Sequence, residues 1–146
     1  MRRSVRTWYW VALALAAPAA LSAAMFSVTD LGRLIDLTNR TDSGSLFINN
    51  HAQVAGASVV NGSYRARLYD HGAWTNLGTL GGNESFASGI NDAGRVGGSA
   101  KTAGGAKHAF LWTPGGTNGV LSNRQMRDLG TLGGTDSEAY SVNSSE

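Results

Sequence analysis

The sequence predicts an all-β chain of propeller-like repeats, and three observations carry that expectation. Glycine is abundant and proline scarce, one hexapeptide returns unchanged 52 residues later, and turn residues alternate with short apolar runs. There are 20 glycines against 2 prolines in 146 residues, and only 15% of the chain is charged. A glycine in a helix interior costs about 1 kcal/mol relative to alanine, so this density favours tight turns between short strands. The absence of cysteine removes a disulfide framework, a thiolate nucleophile and a thiolate metal site. Packing alone must hold the fold.

The first 24 residues stand apart. Met1 to Thr7 carries Arg2, Arg3 and Arg6 without an acid, Trp8 to Ala17 is an unbroken apolar run, and small residues after Pro18 end in Ser22-Ala23-Ala24. This order is that of a secretory signal peptide, with cleavage expected after Ala24. An uncleaved anchor is the alternative, although the apolar stretch is shorter than the roughly 20 residues a span requires. Removal takes three of the 12 basic residues and none of the 10 acidic ones, leaving nine against ten. The mature chain, 25–146, then lacks the basic cluster that nucleic acid binding or anionic lipid requires. A secreted location, extracellular or periplasmic, is expected, with no membrane association after cleavage.

The remainder is built of repeats. Leu77-Gly78-Thr79-Leu80-Gly81-Gly82 recurs as Leu129-Gly130-Thr131-Leu132-Gly133-Gly134, with a weaker early copy in Asp30-Leu31-Gly32-Arg33-Leu34. A second block, Ile48-Asn49-Asn50-His51-Ala52-Gln53-Val54-Ala55-Gly56, aligns with Ile90-Asn91-Asp92-Ala93-Gly94-Arg95-Val96-Gly97-Gly98, and Val142-Asn143 begins it again. The third block is Arg65-Ala66-Arg67-Leu68-Tyr69 against His108-Ala109-Phe110-Leu111-Trp112. These blocks divide the mature chain into a divergent repeat 1 (25–76), repeat 2 (77–128) and a partial repeat 3 (129–146).

Each repeat reads as about four short antiparallel strands. In the central copy Ser85 to Ile90 is extended, Asn91-Asp92-Ala93-Gly94 turns, and Arg95 to Ala100 runs back. Asn and Asp bond their own backbone and glycine tolerates positive φ, so the turn has a mechanism. Thr102 to Gly105 connects to a strand over Lys107 to Trp112, Pro114-Gly115-Gly116 turns again, and Met126 to Leu129 completes the unit. Four strands per period of 40–50 residues is the mark of a propeller blade. An open stack of hairpins is the competing architecture.

The run His108-Ala109-Phe110-Leu111-Trp112, with Arg127-Asp128-Leu129-Gly130-Thr131-Leu132-Gly133-Gly134 and Gly89-Ile90-Asn91-Asp92-Ala93-Gly94-Arg95-Val96, resembles the HAF family of extracellular repeat proteins. That family is named for its His-Ala-Phe tripeptide. The likeness covers nearly the whole mature chain and implies bacterial export and a propeller-like β fold. It implies no defined activity and transfers no catalytic residue. The first copy departs from the pattern, with Arg65-Ala66-Arg67 for His-Ala-Phe and Ala52 for the turn glycine. On a strand Ala66 and Leu68 share one face and Arg65, Arg67 and Tyr69 the other, which suits a capping unit with a polar outer face.

No catalytic, cofactor-binding or metal-ligating set emerges, and no cofactor is expected. The repeated Leu-Gly-Thr-Leu-Gly-Gly lacks the Lys-Ser/Thr of a phosphate loop and reads as a structural turn. His51, His71 and His108 fall in different blocks without zinc-ligand spacing. Asp92, Asp128 and Asp136 lack the alternating ligand pattern of a calcium loop. Asp70-His71-Gly72-Ala73-Trp74 is similar to the aspartate box of sialidase-type propellers, one residue short, and that box is a folding motif. Asn61-Gly62-Ser63 and Asn83-Glu84-Ser85 fit a glycosylation acceptor and read as polar loops.

Two function classes remain. One is a non-enzymatic exported binding or structural module, contacting protein or glycan through loops and aromatic side chains such as Trp74 and Trp112. The other is a fragment of a larger secreted propeller-type hydrolase whose catalytic residues lie outside this chain. With fewer than three units in 122 mature residues, closure into a propeller of at least about four blades is not expected. The third copy stops before its returning strand, so self-association through open strand edges is expected.

Overall fold

A computed structural model describes residues 45–144. The signal peptide, the early copy at Asp30 to Leu34 and the rest of repeat 1 before Ser45 lie outside those residues. Among the described residues there are eight strands and no helix. They are β1 (Phe47–Ile48), β2 (Val54–Val60), β3 (Ser63–Asp70), β4 (Ala73–Gly78), β5 (Gly81–Ile90), β6 (Val96–Thr102), β7 (Lys107–Trp112) and β8 (Met126–Gly130). Strands β1 to β4 form one antiparallel meander and β5 to β8 a second, each in sequence order. The all-β expectation therefore holds, as two four-stranded sheets.

Local chemistry sets the hairpins. Asn61 and Gly62 have φ of 51° and 78°, and His71 and Gly72 have φ of 44° and 91°. Two consecutive left-handed residues make the tight hairpin whose twist matches that of its strands, and Asn-Gly is its preferred sequence. Asn61-Gly62 is thus a strand-to-strand turn, a more specific role than the polar loop expected. Strand β4 ends at Gly78 and β5 begins at Gly81, so the first two and last two residues of the Leu-Gly-Thr-Leu-Gly-Gly motif are strand; the link between sheets is only Thr79-Leu80. Thr79 locks that link, its Oγ1 donating to Gly82 O at 2.9 Å and accepting from Gly81 N at 3.2 Å.

The core lies between the two sheets. Ala55, Ala66, Leu68 and Leu77 of the first meet Val96, Phe110, Trp112 and Met126 of the second. Burying each large side chain contributes about 1.5–3 kcal/mol. His108, Phe110 and Trp112 share a face through the β6–β7 register, in which Val96 opposes Trp112 and Gly98 opposes Phe110. Gly98 has no alternative there, because a Cβ would stand 2.0 Å from Phe86 O and 3.0 Å from the Phe110 ring.

Candidate functional site

The seam between successive repeats recurs, with the same atoms, at two places in the chain. Ser85 Oγ donates to Gly78 O at 2.6 Å and accepts from Ala66 N at 2.9 Å. Ser137 Oγ donates to Gly130 O at 2.5 Å and accepts from Ala109 N at 2.9 Å. A bulge makes this necessary. The register slips between Ala66 and Arg67 opposite β4 and between Ala109 and Phe110 opposite β8, where Leu77 and Leu129 are the extra residues. A bulge removes ladder partners, and an unpaired buried backbone group costs about 1–3 kcal/mol. In both copies the serine of the following repeat supplies the missing partner.

The Asn turns form a second stitch. Asn49 Nδ2 donates to Asn91 O at 2.9 Å, and Asn91 Nδ2 donates to Asn143 O at 2.8 Å. Each Asn also folds its own turn, Asn49 Oδ1 accepting from Gln53 N at 3.0 Å and Asn91 Oδ1 from Arg95 N at 2.9 Å. Between the turns Asp92 accepts from Asn50 N at 3.0 Å and Asn50 Nδ2 at 2.8 Å. Those donors, the backbone N–H first, hold the Asp92 carboxyl below its ordinary pKa. Beside Ser137, Asp136 accepts from Lys107 N at 2.9 Å and is lowered chiefly by that bond.

Equivalent leucines differ sharply in cover. Leu77 and Leu80 are 1% and 6% exposed beneath the second sheet, whereas Leu129 and Leu132 are 48% and 109% exposed. Beside Leu129 an open depression of about 460 Å³ is lined by Gly97, Leu111, Ala139 and Val142. The segment from Ser137 to Asn143 crosses this face of the second sheet. Ser137 N donates to Lys107 O at 2.8 Å and Ala139 N to Gly98 O at 3.3 Å. Gly89 makes room, since its Cβ would meet Ser141 Cα at 3.1 Å.

His51 and His71 are exposed turn residues, and His71 Nδ1 lies 2.5 Å from Asp70 Oδ1. His108 Nδ1 lies 3.0 Å from both carboxylate oxygens of Asp128, which also accepts from Gly130 N at 2.7 Å. That pair ties the His-Ala-Phe strand to the Asp-Leu-Gly strand across β7 and β8. The Ser137 hydroxyl is engaged by Gly130 O and Ala109 N. Asp92 lies between the Asn turns, Asp128 on β8 and Asp136 against the Lys107 N–H, and among the described residues no three His, Asp or Glu side chains converge on a common point. Trp112, expected as a contact aromatic, is 5% exposed and belongs to the core, because β7 turns it towards the first sheet. Trp74 remains half-buried, with Tyr69 at 5.1 Å between ring centroids and the Arg67 guanidinium 5.0 Å from its ring centre. The serine stitch was missed in the sequence, although Ser85 and Ser137 stand three residues beyond each Gly-Gly and share the 52-residue offset.

Comparison with protein-family models, with curated proteins and with solved structures gives no match.

Proposed function

We propose that this chain is an exported, non-enzymatic repeat module of the HAF type, whose sheets stack as propeller-like blades and present loops and a repeat face to a protein or glycan. The observation that carries the reading is the twice-built seam. The same serine, glycine carbonyl and bulge N–H meet at Ser85 and again at Ser137, which is how units of a repeat array bury faces that one unit leaves open. The motif residues support a structural role. Asp128 and His108 clip two strands together, Asn91 stitches turns, and Gly98 admits Phe110. Arg65 and Arg67, in place of His108 and Phe110, suit a polar cap on the first unit.

Export is tested by intact-mass measurement of the protein recovered outside the cytoplasm of an expressing bacterium. The expected mass begins at Met25, without Met1 to Ala24. Full-length protein retained in the membrane fraction would contradict the reading.

A further inference from the structure

We infer that the cleft between the outer edge of β4 and the loop entering β8 binds a neutral glycan, a ligand dense in hydroxyls and without charge. The inference rests on the reading of the chain as a binding module and narrows its partner. The cleft measures about 490 Å³, within the range of about 300–1,000 Å³ usual for small-molecule sites. One wall is Asn76 and Gly78 of β4, the last strand of its sheet, with Thr79 of the link; the other is Ser122, Asn123 and Gln125.

Both walls are fixed. Asn123 Nδ2 donates to Leu77 O at 2.7 Å and so pins the loop to the strand. Gly78 admits that amide, since a Cβ there would stand 2.6 Å from Asn123 Nδ2. Within the loop Gly119 N donates to Arg124 O at 2.7 Å and Asn123 N to Val120 O at 2.9 Å. Groups held in place before a ligand arrives lose less freedom on binding it.

The lining selects the class of ligand. Among the described residues it has no carboxylate, ammonium, guanidinium or imidazole, and Arg124, between Asn123 and Gln125, is exposed outside it. A charged ligand would lose water there without gaining a counter-charge. The one large apolar side chain, Leu77, is 1% exposed, so an apolar ligand gains little. Amides and hydroxyls remain. The Ser122 hydroxyl, the Gln125 amide, Asn123 Oδ1 and Asn76 Nδ2 bond no other described residue. An amide sets a donor beside an acceptor, which suits neighbouring sugar hydroxyls that both donate and accept. A peptide strand is not accommodated, because the β4 edge is already bonded here: Leu77 O by Asn123, Gly78 O by Ser85 and Gly78 N by Asn76.

Proton–nitrogen NMR of the purified chain tests this, with neutral oligosaccharides of glucose, mannose, xylose and N-acetylglucosamine, and with oligogalacturonate as the acidic counterpart. A neutral oligosaccharide is expected to shift the side-chain amide signals of Asn76, Asn123 and Gln125, and oligogalacturonate to shift none of them. Ser122→Ala and Gln125→Ala are each expected to weaken binding about three- to tenfold, the loss of one hydrogen bond. Asn118→Ala, exposed in the same loop but outside the lining, is expected to leave it unchanged. Unmoved amide signals with every neutral sugar at millimolar concentration would overturn the inference, as would binding undiminished in both cleft variants or equal binding of oligogalacturonate. Shifts confined to the β4 backbone on adding an alternating threonine–lysine peptide would show a strand-binding edge in its place. Export is decided separately by intact mass, so a protein that leaves the cell and ignores every sugar loses this site alone.

Discussion

Ala52 sits at φ 58° and Gly94 at φ 71°, so the same left-handed turn position is filled by alanine in one repeat and glycine in the next. Both turns close with the same bonds, Ala52 N to Asn49 O at 3.2 Å and Gly94 N to Asn91 O at 3.0 Å. A β-carbon in the left-handed region costs about 1–2 kcal/mol, which glycine avoids. Ala52→Gly is therefore expected to raise stability by about 1 kcal/mol. Gly94→Ala is expected to lower it by at least as much, since its new Cβ would also stand 3.2 Å from Gln53 Oε1. Urea unfolding of the two variants and the parent measures both shifts. Equal midpoints for all three would show that the turns are not equivalent. The equivalence was legible in the sequence, because Asn49 and Asn91 open both turns and the block alignment puts Ala52 opposite Gly94.

At the scale of elements, two stacked turns and one crossing segment join the repeats, and each junction carries an aspartate. Asp92 accepts from Asn50 and Asp136 from the Lys107 N–H, and both carboxyls lie below their ordinary pKa for that reason. Since folding lowers these values, the unfolded chain takes up protons first as acid is added. Their contribution is complete above about pH 5, where an ordinary aspartate is ionised, and is lost as pH falls through the folded values. Urea midpoints of the parent are accordingly expected to hold level from neutral pH to about pH 5 and to decline below about pH 4. The Asp92→Ala, Asp136→Ala double variant should start lower and decline less steeply. An identical slope in parent and variant would remove the aspartates from the junctions. Strand limits at this scale were readable only in part: β7 coincides with the expected Lys107 to Trp112, whereas β5 begins at Gly81, four residues before the expected Ser85, so that Asn83 and Glu84 lie in a strand and not in the polar loop expected. The bulges were not readable, because Leu77 and Leu129 look like ordinary strand residues until the pairing register is known.

At the scale of the whole molecule, a unit of this fold is completed by its successor: a serine, an asparagine turn and an apolar sheet face from one repeat satisfy groups exposed by the repeat before it. The repeat order was legible because identical hexapeptides survive at a fixed offset. Which face each strand buries was only half legible. Period-two alternation grouped His108, Phe110 and Trp112 correctly, yet it could not say which face of β7 packs on the first sheet, nor that Trp112 belongs to the core while Leu129 and Leu132 stay open. The serine stitch was hidden for a similar reason: a buried serine bonding a bulge N–H leaves no periodic trace beyond its recurrence. Site-resolved amide hydrogen exchange in Ser85→Ala and Ser137→Ala tests the repeat seam most directly. The account expects Ser85→Ala to accelerate exchange at Ala66 alone and Ser137→Ala to accelerate it at Ala109 alone, each by more than tenfold if the lost bond exceeds about 1.4 kcal/mol. Unchanged exchange at Ala109 in Ser137→Ala, with Ala66 responding in Ser85→Ala, would contradict it, because the seam would then be built once and not repeated.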